Sequence, residues 1–423
     1  MGTLRARAGA DRLPQRRGRA SSSTAGSAGT WVKGAEGLRV ELTTLSALES
    51  EWRRLEPLAR TKSVFVSWDY LSTWWRHFRR GREGRTYVVH DPQEGPLAIV
   101  PLYIEERSHR FGAASVLRNV GSGDVAEAEL LDALVVEGRE RDVARALAPA
   151  LVADPRWDFA SWSDLAPNGS LERIARFLAV EGRLEHRREE RASSRYLPLP
   201  DSLGALFDRL EEERREAMVA VVQGVSASQR LTWRAAGDKI GVSCALRILS
   251  DLDQRRMKAQ QGRSPFERAD FSSFHRDLAE RLRSSGRLRL SVLYGQSSPV
   301  AATYGFMHGS TYRAFCFAHE ANRTDLRLEE LSLAATLERL IEEGVKEIRF
   351  PAEGAACRPW TVRRRRTVSL QLVRHGLRAR SAWARAGLSD TPRQVLKFLI
   401  GRERYEQLDA AWADVLESLR PDP

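Results

Sequence analysis

Between residues 312 and 344 a strand, a short polar loop and a helix follow one another, "YRAFCFA", "HEANRTD" and "DLRLEELSLAATLERLIEEG". Leu326, Leu328, Leu331, Leu337, Leu340 and Ile341 recur close to a 3.6-residue period, and Gly344 provides a left-handed stop. A helix that starts directly after a strand presents unpaired N–H groups and the positive end of its dipole, a natural site for a diphosphate. Here the first turn carries two acids, Glu329 and Glu330. Without an anion each stabilises the helix start by about 0.3–1 kcal/mol. Against a bound phosphate at about 4 Å, a like charge costs roughly 4 kcal/mol at an effective dielectric near 20. Alternation within the strand puts Tyr312, Ala314, Cys316 and Ala318 on one face and Arg313, Phe315 and Phe317 on the other.

Other chemistries find little support. The sequence has no Gly-rich phosphate loop, no metal-binding His pair at helical spacing and no Gly-x-Ser-x-Gly elbow. "GSGD" at residues 121–124 reads as a turn, and His308 beside Gly309 as a solvated hairpin tip. Cys316 sits on an apolar strand face, where an inert thiol is expected. Cys244, Cys316 and Cys357 lie far apart without ligand spacing, which implies a reduced compartment, no disulfide framework and no metal. Arg363, Arg364, Arg365 and Arg366 immediately precede a final strand, "VSLQLV". They could bind an acidic glycan, a lipid-linked diphosphate or the phosphates of a cofactor, or form a solvated hairpin whose alternate members point outward. No aromatic stacking platform accompanies them, so nucleic acid is not expected.

The elements that must position these residues belong to a chain of 423 residues, long enough for two domains. Hydrophobic residues make up 42% and charged residues 29%, the balance of a globular protein. The net charge of +12 is local: residues 1–36 contribute +5 and residues 354–389 contribute +9. No apolar run is long enough to span a membrane and no secretory core opens the chain, so the cytoplasm is expected. Residues 1–36, with "GRASSSTAGSAGT", read as a disordered basic tail. An α/β lobe is expected over 37–200. It has a strand at 38–42, a helix bearing Leu45, Leu48, Trp52 and Leu55, and a second helix "SWDYLSTWWRHF" capped by Ser67. Strands follow at "RTYVVHD", "GPLAIVPLYIEE", "AELLDALVV" and "FASWSDL", with a helix near 140–152, and "RYLPLP" closes the lobe. Over 201–376 the element order repeats: one long helix after Ser202, helices near 247–261 and 270–285, three strands, the helix at 325–344, "KEIRF" and "VSLQLV". Residues 377–423 read as a helical tail.

The ordered series "FVSWDYLSTWWRHF", "GPLAIVPLY", "LRNVGSGD", "GRLRLSVLYGQSSPVAATYGFMHGSTYRAFCFAHE" and "LAATLERLIEEGVKEIRF", followed by Trp360, resembles the GNAT-superfamily acyltransferases of the CelD-like group. That group is associated with cellulose and exopolysaccharide biosynthesis, and its lobe pairing is similar to that of the FemAB aminoacyltransferases. The resemblance extends over about residues 40–373 and implies two tandem GNAT-like lobes with the acyl-donor cleft in the second. It further implies transfer of an acyl group from acetyl-CoA or another acyl-CoA to an amine, such as an amino sugar or glycan amine. On that basis Glu320 or His319 is the general base. The backbone of Phe317 and Ala318 aligns the thioester, and the helix start at Leu328, Glu329 and Glu330 receives the diphosphate, with Arg323 or Arg327 as anion contacts. Trp360 and Arg363–Arg366 bind the acceptor. The family's Ser-Pro-Gly falls on Arg327-Leu328-Glu329, its Asp on Arg349 and its Tyr-Lys on Ala356-Cys357. These departures leave a second expectation open, a catalytically silent paralogue that binds a glycan or a polysaccharide-synthase partner.

Overall fold

The computed structural model describes residues 30–33, 37–109, 112–123, 128–227, 231–322, 327–351, 360, 362–375 and 379–384. The first half comprises β1 (Thr30–Lys33), β2 (Arg39–Thr43), α1 (Glu49–Leu55), α2 (Trp68–Phe78), β3 (Arg82–Asp91), β4 (Gly95–His109), β5 (Gly112–Asn119), β6 (Leu134–Val135), α3 (Glu140–Ala153), β7 (Phe159–Leu165), α4 (Ser170–Glu181) and β8 (Glu185–Pro198). The second comprises α5 (Leu203–Phe207), α6 (Glu212–Ala227), β9 (Leu231–Ala235), α7 (Val242–Ala259), α8 (Ala269–Ser284), β10 (Leu288–Gly295), β11 (Ser298–His308), β12 (Thr311–His319), α9 (Leu328–Glu342), β13 (Glu347–Pro351) and β14 (Arg363–Val373).

Local chemistry explains the best-read helices. Ser67 Oγ accepts from the Tyr70 amide at the start of α2, Asp69 occupies the first turn, and Arg76 and His77 the last. The face bearing Trp68, Tyr70, Leu71, Trp74 and Phe78 is buried. Four expectations need correction. Thr30–Lys33 is a strand paired with β2, so the N-terminal segment is not wholly irregular; residues 1–29 and 34–36 lie outside those described. The long helix after Ser202 is broken into α5 and α6, with Asp208–Leu210 turning between them. "AELLDALVV" contributes only the two residues of β6 to the sheet. Arg363–Arg366 are part of β14 itself and pair with β8 from Ala192 to Tyr196.

All the strands join one sheet in the order β1-β2-β3-β4-β5-β7-β14-β8-β13-β12-β11-β10-β9, with β6 beside β4. The last strand of the second stretch, β14, thus lies between β7 and β8 of the first, and β8 in turn pairs with β13. The two halves share further contacts across α2 and α8, where Tyr70 and Phe274 meet edge to face at 5.7 Å and His77 Nε2 lies 2.8 Å from Asp277. Val368, Leu370 and Leu372 of β14 are buried in the same apolar cluster as Ile174 and Leu178 of α4.

Each half contains a pair of parallel strands that separate. In the first, β5 and β7 pair only through Val116↔Phe159 and Leu117↔Ala160. Beyond them the chain fills its own gap. The Asn119 side chain exchanges hydrogen bonds with the Ser163 backbone at 3.1 Å, the Leu131 amide donates to Asp164 O, and the Ala166 amide donates to Leu131 O. The buried Asp132 carboxylate then accepts from the Ser170 and Leu171 amides at 2.9 and 2.6 Å, and so caps α4. Burial pushes Asp132 up to about 6. Asp132→Ala leaves both amides without their acceptor. It is expected to destabilise the protein by about 2–4 kcal/mol, read as a lower urea midpoint. An unchanged midpoint would show that water replaces the carboxylate.

Candidate functional site

In the second half β12 and β13 pair in parallel only at Thr311↔Glu347, Tyr312↔Ile348 and Arg313↔Arg349. Past Arg313 the strands part, and among the described residues no segment pairs with the freed edge of β12. Two features of β11 and β12 set its geometry. The β11–β12 register shifts between Tyr304 and Gly305, so that Tyr304 faces Cys316 while Gly305 faces Ala314, and Phe315 is the extra residue of a bulge. The strict alternation expected from the sequence is therefore overturned. Tyr312 and Ala314 pack into the cluster under α9 with Leu333 and Leu337. Phe315 and Ala318 belong to the cluster under α7 and α8, and Cys316 packs against it.

The bulge also decides which backbone groups are free. The Glu320 amide donates to Val300 O at 2.9 Å, and Ala318 is paired opposite Ala302. By the alternation of an antiparallel ladder, the backbone of Phe317 and His319 points the other way, toward the gap. Phe317 thus occupies the expected aligning position, whereas Ala318 is turned into the sheet. The start of α9 follows. Arg327 sits in the left-handed region at φ 44° as its N-cap, and its own side chain does not cap the helix. The Arg327 guanidinium pairs with Glu330 at 3.0 Å, which neutralises one of the two acids and commits the arginine. Glu329 is half-buried, and Leu328 is buried in an apolar cluster with Leu293, Val300, Ala301 and Leu331 that pins the helix start. Arg323, Ala356 and Cys357 lie outside the described residues.

Glu320, the residue after β12, forms an ion pair with Arg255 of α7 at 3.0 Å. His319 is half-buried, with Nδ1 3.4 Å from the Glu320 carbonyl oxygen. Sequence reasoning missed the α7 residues that secure this strand. Asp253, 2% exposed, accepts from the Ser264 hydroxyl at 2.6 Å, pairs with Arg256 at 2.6 Å and receives the Cys316 thiol at 3.7 Å. Their only sequence signal was helical periodicity, which does not report a partner on a distant strand.

The expected acceptor residues are more dispersed. Trp360 is 5% exposed and stacks on Phe207 at 6.1 Å, so it is a core residue in place of an exposed platform. Arg365 pairs with Glu347 at 3.0 Å and lies over the Tyr196 ring at 4.7 Å, and Arg366 pairs with Glu190 at 2.8 Å. Arg363 and Arg364 are exposed. His308 is half-buried, and burial pushes it down to about 4, contrary to a solvated tip.

An antiparallel set of strands, a bulged strand that parts from a parallel neighbour and a helix after it make up the α/β arrangement of this half. In agreement, residues 224–356 match the family model of an acetyltransferase (GNAT) domain. The whole fold is similar to the crystal structure of FemX, with a TM-score of 0.53 at 8% identity over 76% of this chain and 95% of that one. A tandem GNAT protein from the clavulanic acid biosynthesis pathway gives a TM-score of 0.43 at 11% identity, covering 80% of this chain and 99% of its own. The C-terminal domain of a putative lysylphosphatidylglycerol synthetase from Agrobacterium fabrum also gives 0.43 at 11% identity, with 82% and 97% covered. No curated protein sequence matches. The chain is an α/β protein containing a GNAT domain. Among the described residues no helix is long and apolar enough to cross a membrane, and no three His, Cys, Asp or Glu side chains cluster as metal ligands.

Proposed function

We propose that the protein is an N-acyltransferase that moves an acyl group from acyl-CoA to an amine, with an amino sugar of polysaccharide biosynthesis as acceptor in the cytoplasm. The observation that carries this reading is the contrast between the two strand gaps: the first is filled by residues 119 and 131–132, whereas the second leaves the Phe317 and His319 backbone and the α9 start without such a plug among the described residues. Acyl-CoA supplies the activated thioester. The free strand edge aligns it through backbone hydrogen bonds, and the amides of the α9 start attract the diphosphate. The amine nitrogen bonds to the thioester carbon, and the carbon–sulfur bond breaks with its electron pair on sulfur. The proton lost by the amine passes toward Glu320 as Arg255 swings aside, and the CoA thiolate leaves and takes up a proton as the free thiol.

Titration calorimetry with acetyl-CoA tests the reading. Binding is expected, and Glu320→Gln should lower turnover about 10²-fold or more with little change in donor affinity. Unchanged turnover would remove Glu320 from the mechanism. Absence of binding at about 1 mM acetyl-CoA would remove the acyl-CoA reading. A second reading, a silent scaffold for a glycan or a synthase partner, is favoured by one observation, the negative charge of Glu329 at the helix start. Glu329→Gln separates the two: donor affinity should rise about tenfold if the diphosphate sits there, and should not change in a scaffold.

A further inference from the structure

Away from the strand gap, α7 and α8 line an open cavity of about 520 Å³, within the range of small-ligand sites. Leu246 and Phe266 form its apolar wall, and the hydroxyls of Ser243, Ser250 and Ser272 line it as well. Arg247 and Arg276 face each other from the two helices, and the lining contains no carboxylate. Among the described residues neither arginine forms an ion pair. Both are exposed and solvated, and with no carboxylate in the lining to engage them they are available to pair with an anion.

A second, independent feature lies on the cavity wall. His275 is 1% exposed, and its ring is clamped by Phe271 and Phe315 at 4.4 Å each and by Phe274 at 5.0 Å. Nδ1 meets the Tyr304 hydroxyl at 3.2 Å, while Nε2 has no hydrogen-bond partner. Burial pushes the imidazole down to about 3, so it is neutral. Nε2 is sealed from water by the same rings, so the imidazole is a rigid part of the cavity wall.

We propose that the cavity between α7 and α8 is a binding site for a small organic anion, a carboxylate or phosphate monoester, separate from the strand gap. Arg247 and Arg276 hold the anionic group, the hydroxyls of Ser243 and Ser250 meet its polar oxygens, and Leu246 and Phe266 cover its apolar body. The His275 ring rests on Phe315, the bulge residue of β12, so one side chain separates an occupant from the strand that frames the donor cleft. The proposal does not rest on acyl transfer, since its test contains no acyl donor.

Calorimetry on the full chain uses benzoate and phenyl phosphate as probes and benzyl alcohol as the neutral control. At least one anion should bind with a Kd below about 1 mM, benzyl alcohol at least about tenfold more weakly, and Arg247→Ser with Arg276→Ser should weaken the anion at least about tenfold. Both arginines are exposed, so these substitutions do not endanger folding. Cys244 lines the cavity and is exposed, and its alkylation by iodoacetamide, followed by peptide mass mapping, should slow when the bound anion is present. No binding of either anion at about 10 mM overturns the proposal. So does binding that the double substitution leaves intact, or a Cys244 reaction rate that the anion does not alter.

Discussion

Arg313→Ala should destabilise the protein by about 3–5 kcal/mol, the cost of stranding a buried charge. The Arg313 Nε lies 3.0 Å from Glu129 Oε1, and the two side chains are 7% and 4% exposed. The guanidinium also donates to Ala314 O at 2.7 Å and lies 6.0 Å from the Phe65 ring centroid. Glu129 belongs to the segment that fills the gap of the first half, three residues before Asp132, whereas Arg313 is the last β12 residue paired with β13. The pair therefore ties the filled gap to the open one. Removing Glu129 together with its partner, as in Glu129→Gln with Arg313→Met, should recover most of the loss, because the pair's attraction is largely offset by its desolvation. The measurement is the urea midpoint of each variant, compared at constant transition slope. Arg313→Ala should also weaken acetyl-CoA binding, since the strand that aligns the donor loses its anchor at the point of departure. A single-variant loss below about 1 kcal/mol would mean that water reaches Glu129.

How much of this was legible varies with the physics behind each residue. Helix α2 was readable because its cap, its first-turn acid and its aromatic face all agree in one short window. Strand β8 was not readable beyond its end. "EHRREERASSRYLP" shows no apolar alternation, because the strand satisfies its charges by pairing: Arg188 with Glu172 and Glu190, and Glu190 with Arg366. Its neighbours on both sides, β14 and β13, come from sequence more than 140 residues away. At the candidate site, Phe317, Glu320 and the α9 start could be nominated together because strand, loop and helix are contiguous. Arg255, Asp253, Glu129 and His275 were missed because each reaches β12 from elsewhere in the chain. Trp360 was assigned to the acceptor, and its burial against Phe207 was not foreseen, because a single aromatic after a loop gives no sign of the ring that receives it. The bulge at Phe315 also escaped, since "TYRAFCFA" alternates well enough to hide one inserted residue.

That bulge gives the other large expected effect, a loss of about 3 kcal/mol in Gly305→Ala, at the upper end of overpacking costs. A Cβ on Gly305 would lie 2.5 Å from the Arg313 carbonyl oxygen and closer still to the Tyr312 ring and hydroxyl. The Arg313 carbonyl is backbone in the middle of a sheet and cannot step aside as a flexible side chain would. Tyr312, 1% exposed, is held equally firmly. Glycine is therefore needed here for close approach, and its φ is not in the left-handed region. Relief would come from moving β12 away from β11, which would unseat Phe315 from Phe271, His275 and Tyr304. The same movement would turn the Phe317 backbone out of the gap, so acetyl-CoA binding should fall together with stability. Adding Tyr312→Phe removes the nearest clashing atom and should restore only part of the loss, because the Arg313 carbonyl is unchanged. Gly204→Ala is the control: it lies in α5 with nothing within 4 Å of a new Cβ, and should be neutral or stabilising by up to about 1 kcal/mol. If Gly305→Ala unfolds at the same urea concentration as the parent, β11 and β12 have room to spare, and the bulge does not fix where the donor strand leaves its neighbour.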